Sequence, residues 1–139
     1  MSINWELINP NKNRKRRGCD GVVSFGTSNK GNATYYLSFY QSGYEKLNNA
    51  KKLSLGFNET KVYVTNKTTP KMFTVTPTGK SGNINNKRVC EKVIEYLTNE
   101  KPKMNDHTMV YVDLVQQSND KDVYEIIVHE QTDEYGFVV

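Results

Sequence analysis

The sequence predicts an α+β fold: an antiparallel β-sheet of about five to seven strands, one amphipathic helix and a C-terminal hairpin. Three observations support this prediction. Between positions 34 and 76, apolar residues recur mostly at every second position, as in half-buried strands. At residue 85 the apolar period changes from 2 to 3.6, as in a helix with one buried face. Beyond residue 107 the alternation returns in two stretches separated by a polar turn.

The first two predicted strands are short. Residues 22–25 are β-prone and lead into a glycine-containing connection, and residues 34–40 alternate cleanly. The apolar face of this second strand carries Tyr35, Leu37 and Phe39. Its opposite face carries Tyr36, Ser38 and Tyr40. Residues 43–50 have room for a single helical turn before the next strand.

The middle of the chain predicts a hairpin and one further strand. Residues 53–57 alternate, and residues 60–64 alternate again after a turn at 58–59, which is a hairpin signal. Residues 72–76 form another alternating stretch. Pro77 is expected to end it, because proline has no backbone N–H to donate to a neighbouring strand.

The helix is predicted from about residue 86 to residue 98. Asn85 is its expected N-cap, and Pro102 lies beyond its end. Its apolar stripe consists of Val89, Cys90, Val93, Ile94 and Leu97. The C-terminal hairpin follows at residues 107–130, with a turn at 118–122.

Residues 1–20 are predicted to be a basic flexible arm, and residues 21–139 a single domain. The arm has no periodic apolar face and carries five cations within six positions: Lys12, Arg14, Lys15, Arg16 and Arg17. Residues 1–100 hold 16 basic and 7 acidic side chains, a net charge of +9, whereas residues 101–139 hold 3 and 8, a net charge of −5. This asymmetry indicates either a polyanionic partner for the basic part or attraction between the two parts within the fold.

No set of catalytic or metal-binding residues is apparent, so we predict that the protein is not an enzyme and uses no metal or cofactor. Cys19 and Cys90 are too far apart in the sequence for a metal-ligand pair, and we expect Cys90 to be a buried apolar residue. Cys19, beside the basic arm, could be a reactive thiol, but no histidine is near it in the sequence. His107 and His129 have no second ligand at helical spacing.

Residues 78–81, Thr-Gly-Lys-Ser, are similar to the end of a phosphate-binding loop. That loop requires a glycine five positions before Gly79, where this chain has Thr74. We therefore interpret these residues as a polar loop that leads into the helix.

The strongest binding signal combines the arm with the polar faces of two strands. Aromatic rings interleaved with lysines on a flat sheet can stack bases and contact phosphates, and an arm rich in cations adds sequence-independent binding. The predicted nucleic-acid-binding residues are Lys12, Arg14, Lys15, Arg16, Arg17, Tyr36, Tyr40, Lys61 and Tyr63. The alternative is that the tyrosines lie under the C-terminal hairpin as a second layer of core, or that they merely favour strands.

Two resemblances rest on short motifs and on the order of the elements. Residues 14–97 resemble small phage and prophage proteins of low-GC bacteria, in the motifs Arg-Arg-Gly-Cys, Val-Ser-Phe, Tyr-Leu-Ser-Phe, Gly-Tyr-Glu-Lys-Leu, Lys-Val-Tyr-Val and Asn-Lys-Arg-Val. The succession of four strands and a helix is also similar to the single-stranded-DNA-binding transcriptional coactivator fold. That second resemblance implies a curved sheet that carries the ligand and a homodimer formed through helices. The hairpin at 107–130 departs from the coactivator pattern.

We therefore predict non-catalytic binding of nucleic acid, either single-stranded DNA or RNA. The alternative is a phage-type inhibitor that binds a host protein such as a defence nuclease, with the arm in the partner's nucleic-acid channel. No apolar stretch approaches the roughly 18 residues of a membrane helix, so no membrane partner is expected. The N-terminus lacks the apolar core of a secretory signal, and we expect a cytoplasmic protein.

Overall fold

The computed structural model describes residues 18–27 and 31–130. Within these ranges the elements are β1 (Gly21–Thr27), β2 (Ala33–Phe39), α1 (Gln41–Lys46), β3 (Lys52–Asn58), β4 (Lys61–Thr65), β5 (Phe73–Thr74), β6 (Thr76–Thr78), β7 (Ser81–Ile84), α2 (Lys87–Thr98), β8 (Thr108–Gln116) and β9 (Val123–Val128). The α+β class, the antiparallel sheet and the C-terminal hairpin are confirmed. The described part has nine strands rather than five to seven, and it has a second helix, α1.

The sheet curls into a nearly closed barrel. Its strand order is β5-β3-β4-β9-β8-β1-β2-β7-β6, and all neighbours are antiparallel. β5 and β6 are separated by Val75 alone, so one segment, residues 73–78, pairs with β3 at one edge and with β7 at the other. We call this segment the seam. The Val75 N–H also donates to the Lys51 carbonyl oxygen at 2.8 Å, which ties the seam to the start of β3.

Pro77 does not end the strand, contrary to the prediction. It lies in β6 opposite Gly82, and β6 is the last strand in the sheet order. A proline is tolerated there because an edge strand needs N–H donors on one side only. The additional strands are therefore β6 and β7, which the sequence prediction had assigned to a loop.

The inner face of the barrel forms the core. Residues directly opposite each other on neighbouring strands share a face, so Val23 lies beside Leu37 and Val110. All three are buried. α2 contacts β1, β2 and β4, and it adds to the same core cluster four buried residues: Val89, Cys90, Val93 and Ile94. The predicted helical face is thus confirmed, with Leu97 partly buried at its margin.

The ends of α2 follow local rules. Asn86, not the predicted Asn85, is the N-cap: its backbone is extended, and its side-chain oxygen accepts from the Val89 N–H at 3.1 Å. The helix ends at Thr98, and Asn99 takes the left-handed conformation that commonly terminates helices.

The folded part begins earlier than predicted. Cys19 and Asp20 were assigned to the arm, yet both are buried. The Asp20 N–H donates to the Val112 carbonyl oxygen at 3.0 Å, and the Asp20 carbonyl oxygen accepts from the Tyr40 N–H at 2.9 Å. The backbone hydrogen bonds of β1 therefore continue to Asp20, one residue before the strand begins. Residues 1–17 of the predicted arm lie outside the described residues.

The C-terminal hairpin of β8 and β9 lies within the sheet, between β4 and β1. It does not form a layer over the tyrosines, so the alternative that it covers them is wrong. Its insertion places acidic residues next to the basic part of the chain. Lys67, just after β4, forms an ion pair with Asp120 in the β8–β9 turn.

Candidate nucleic-acid interface

The predicted tyrosine platform is divided between distant strands. Tyr36 in β2 and Tyr63 in β4 are both half-buried on the outer face, but β9, β8 and β1 lie between them. Four strand spacings correspond to about 19 Å along the sheet. Tyr40 lies outside β2, at the N-cap position of α1. The structure therefore does not bring these three tyrosines together, and the arm cations fall outside the described residues.

The surroundings of Tyr63 are acidic rather than basic. Glu125 lies directly opposite Tyr63 on β9, and Asp113 lies one strand further, opposite Ile127. Lys61 is exposed nearby. A phosphate at this position would meet carboxylates as well as one lysine, which weakens the electrostatic attraction on which such binding depends.

A different site is formed where α1 faces the β6–β7 turn. A cleft of about 550 Å³ opens there, and we call it the seam cleft. Its lining residues are Gln41, Tyr44, Glu45, Asn49, Lys51, Pro77, Gly79 and Lys80. Sequence analysis did not identify this site, because its residues come from two separate parts of the chain, 41–51 and 77–80.

Two close approaches give the seam cleft its shape. A β-carbon on Gly43 would lie 2.3 Å from the Asp20 carbonyl oxygen, so this glycine allows α1 to pack against the start of the fold. A β-carbon on Gly82 would lie 2.7 Å from both the Tyr44 ring and the Val75 side chain. Tyr44 is buried, with its ring against Gly82, and its hydroxyl donates to the Ala50 carbonyl oxygen at 2.9 Å. The wall of the cleft is therefore held in one position.

The Thr-Gly-Lys-Ser sequence forms the tight turn of the β6–β7 hairpin. Thr78 and Ser81 are paired, and Gly79 has a left-handed φ of 61°, which glycine adopts at little cost. The interpretation as a loop leading into the helix is thus corrected. The turn places Lys80 at the rim of the seam cleft.

Four exposed lysines surround the seam. Lys51 and Lys80 line the seam cleft, Lys52 pairs with Thr74 of β5, and Lys71 lies just before β5. No acidic residue in the described ranges forms an ion pair with any of the four. Of the described residues that line the cleft, Glu45 alone is acidic. This is a basic surface of the kind that the sequence had led us to expect on the sheet face.

The turn that joins α1 to β3 carries backbone strain. Asn48 and Asn49 are consecutive and have φ values of 57° and 51°. Asparagine tolerates the left-handed region better than most residues, but such conformations still occur most often at functional sites. The Asn49 N–H donates to the Tyr44 carbonyl oxygen at 2.9 Å, and Asn49 lines the seam cleft.

A buried ionic network fixes α1 from its other side. The Asp20 carboxylate accepts from Ser42 Oγ at 2.7 Å, from Lys46 Nζ at 2.7 Å and from the Leu114 N–H at 2.8 Å. Burial raises the pKa of Asp20, but the hydrogen bonds from Lys46, Leu114 and Ser42 outweigh it and hold the pKa below the usual value. The carboxylate therefore stays ionised and joins β1, α1 and β8.

Three potential nucleophiles among the described residues, Cys19, Cys90 and Ser24, are buried. Cys19 is buried, and burial raises the pKa of its thiol, so the suggestion of a reactive thiol there is not supported. Burial likewise raises the pKa of Cys90 to about 12. Ser24 Oγ lies 2.9 Å from His107 Nε2, the separation of a nucleophile and its base, yet Ser24 has no exposed surface.

His129 directly follows β9, as expected for a residue at a strand end, and its Nδ1 lies 2.6 Å from Asp113 Oδ2. Within the described ranges, no three His, Cys, Asp or Glu residues are grouped as a metal site would require. None of the described helices is long and apolar enough to cross a membrane.

Comparisons with protein-family models, curated proteins and solved structures found no match to this chain.

Proposed function

We propose that this protein binds single-stranded nucleic acid without catalysing a reaction, and that the strand binds in the seam cleft rather than across the outer face of the sheet. The observation that carries this proposal is the position of Lys51 and Lys80. Both are exposed, neither is paired with a described acid, and they line one cleft. Lysine is a compact cation that contacts phosphates without reading sequence.

The dimensions and lining of the seam cleft suit a nucleotide. Its volume of about 550 Å³ falls within the range of small-ligand sites, about 300–1,000 Å³. Pro77 offers exposed apolar surface for a base, and the lysines offer charge for the phosphates on either side. This combination of apolar contact and positive charge is what single-strand binding requires.

The start of the described fold contacts the helix that lines this site. Asp20 contacts Ser42 and Lys46 of α1, and Gln41 and Glu45 of the same helix line the cleft. The predicted arm precedes Asp20 in the sequence, and we propose that its cations add sequence-independent phosphate contacts.

The test is fluorescence anisotropy with a labelled thymine strand of about 12 nucleotides, within the usual range of site sizes. Lys51→Ala combined with Lys80→Ala should weaken binding and reduce the slope of log K against log salt by about 0.7 for each phosphate that a lysine no longer neutralises. Lys61→Ala combined with Lys121→Ala is the matched control, because it removes two exposed lysines away from the cleft. We expect the control to bind as wild type.

The two double variants also separate the cleft from the sheet platform. If the control loses affinity and the cleft variant does not, the strand lies on the outer face near Tyr63 and the cleft assignment is wrong. Wild-type protein that binds no oligonucleotide at low salt would reject nucleic-acid binding altogether.

A second candidate function, binding of a host protein, is favoured by a separate observation. The outer face of β8 exposes Met109 and Val115, with exposures of 37% and 44%. Exposed apolar side chains on a sheet face suit a protein partner better than a phosphate backbone. A pull-down from host lysate with and without nuclease treatment distinguishes the two functions, because a protein partner is retained after nuclease treatment.

A further inference from the structure

Resting on the proposed function, we infer that the seam cleft selects guanine in a single strand and that the Glu45 carboxylate is the group that recognises it. Among the described residues that line the cleft, Glu45 is the only acid, and Lys51 and Lys80 line the same cleft. A carboxylate in a groove for phosphates opposes binding through the backbone. Its presence there is explained if it contacts a base instead.

The carboxylate of Glu45 is oriented by its own helix. Gln41 Nε2 donates to Glu45 Oε1 at 3.1 Å, across one turn of α1. An ionised carboxylate has about four acceptor sites, so this bond leaves most of its capacity for a ligand. Gln41 is thus a positioning residue, and Glu45 the residue that determines specificity.

Among the four bases, the chemistry of a carboxylate matches guanine alone. A carboxylate only accepts hydrogen bonds, and its two oxygens suit two adjacent donors. The exposed pairing edge of guanine offers N1–H and the N2 amine side by side. Adenine and cytosine each present a single amine next to an acceptor, and thymine or uracil presents one N–H between two carbonyl oxygens. In these three bases a carboxylate would face at least one repelling acceptor.

Asn49 supplies the complementary group. It lines the same cleft, and its left-handed backbone holds it at the rim beside Tyr44. Its side-chain amide can donate to the O6 carbonyl of guanine while Glu45 accepts from N1 and N2. A single base would then satisfy both residues.

The experiment compares four thymine strands of about 12 nucleotides in fluorescence anisotropy: one unmodified, and three with a single central guanine, hypoxanthine or adenine. Wild type should bind the guanine strand about fivefold more tightly than the thymine strand, the lower end for a bidentate base contact, because Glu45 is exposed. Hypoxanthine, which lacks the N2 amine, should fall between them.

Glu45→Gln should abolish the preference for the guanine strand over the thymine strand, because a neutral amide no longer offers two acceptor oxygens to N1–H and the N2 amine. Glu59→Gln is the control: it removes the same charge at the exposed β3–β4 turn and should keep the preference. Equal affinity of wild type for all four strands, or an undiminished preference in Glu45→Gln, would overturn the inference while the proposed function stands. If no strand binds, the proposed function fails and this inference with it.

Discussion

Replacing Asp20 with alanine tests whether the buried network holds α1 in place. The Leu114 N–H, which is buried, would lose its acceptor, at a cost of about 1–3 kcal/mol. The Lys46 side chain is 42% exposed and can return to water, so its ion pair contributes at most about 1 kcal/mol. We expect urea denaturation at neutral pH to give a free energy of unfolding about 1–4 kcal/mol below that of wild type.

The same network predicts how this difference depends on pH. The pKa of Asp20 is lower in the folded protein than the ordinary 3.8, so its ionisation stabilises the fold above that value. This contribution is lost as the pH falls below 3.8 and through the lowered pKa, so the difference in free energy of unfolding between wild type and Asp20→Ala should narrow there. Asp122→Asn, in the exposed β8–β9 turn, should cause no measurable change. The role assigned to Asp20 would be refuted if wild type and Asp20→Ala had the same free energy of unfolding at neutral pH, or if their difference did not narrow in acid.

Two further predictions concern the fold. Val93→Asp would bury an unpaired charge in the core, so we expect an unfolded or aggregated protein; a soluble variant with an unchanged melting curve would mean that α2 packs through another face. Gly26→Ala should be strongly destabilising in thermal unfolding, because its β-carbon would lie 1.7 Å from the Asp106 carbonyl oxygen at a φ of 130°. Gly56→Ala, whose β-carbon meets nothing closer than 3.9 Å, should melt close to wild type, and similar destabilisation of both variants would contradict this reasoning.

Local sequence patterns were sufficient to predict α2 and the hairpins β3–β4 and β8–β9. The helix was predicted within one residue of its observed start because a 3.6-residue stripe lies between an asparagine and a proline. The hairpins β3–β4 and β8–β9 were predicted because each pairs two alternating stretches across a short turn. In each of these elements the residues that contact each other are close in sequence, so the local sequence pattern is enough to predict the contact.

The strand order could not be predicted in the same way. Nothing local distinguishes a C-terminal hairpin that covers the sheet from one that is inserted between β4 and β1, because both bury the same alternating face. The seam was missed because Pro77 suggested an end, whereas its position at an edge allowed pairing to continue. The seam cleft depends on both features, so Lys51 and Lys80 could not be grouped from the sequence.

The insertion of the hairpin shows where the two parts of opposite net charge meet within the described fold. Beside β4, attraction within the fold accounts for the charges, because Lys67 pairs with Asp120 and Glu125 lies opposite Tyr63. Around the seam no such compensation is present among the described residues: Lys51 and Lys80 face only Glu45 in the cleft. The unpaired lysines of the second region are the reason why we propose a polyanionic partner there and not beside β4. For this reason the proposed binding site moves from the tyrosines of the sheet to the lysines of the seam.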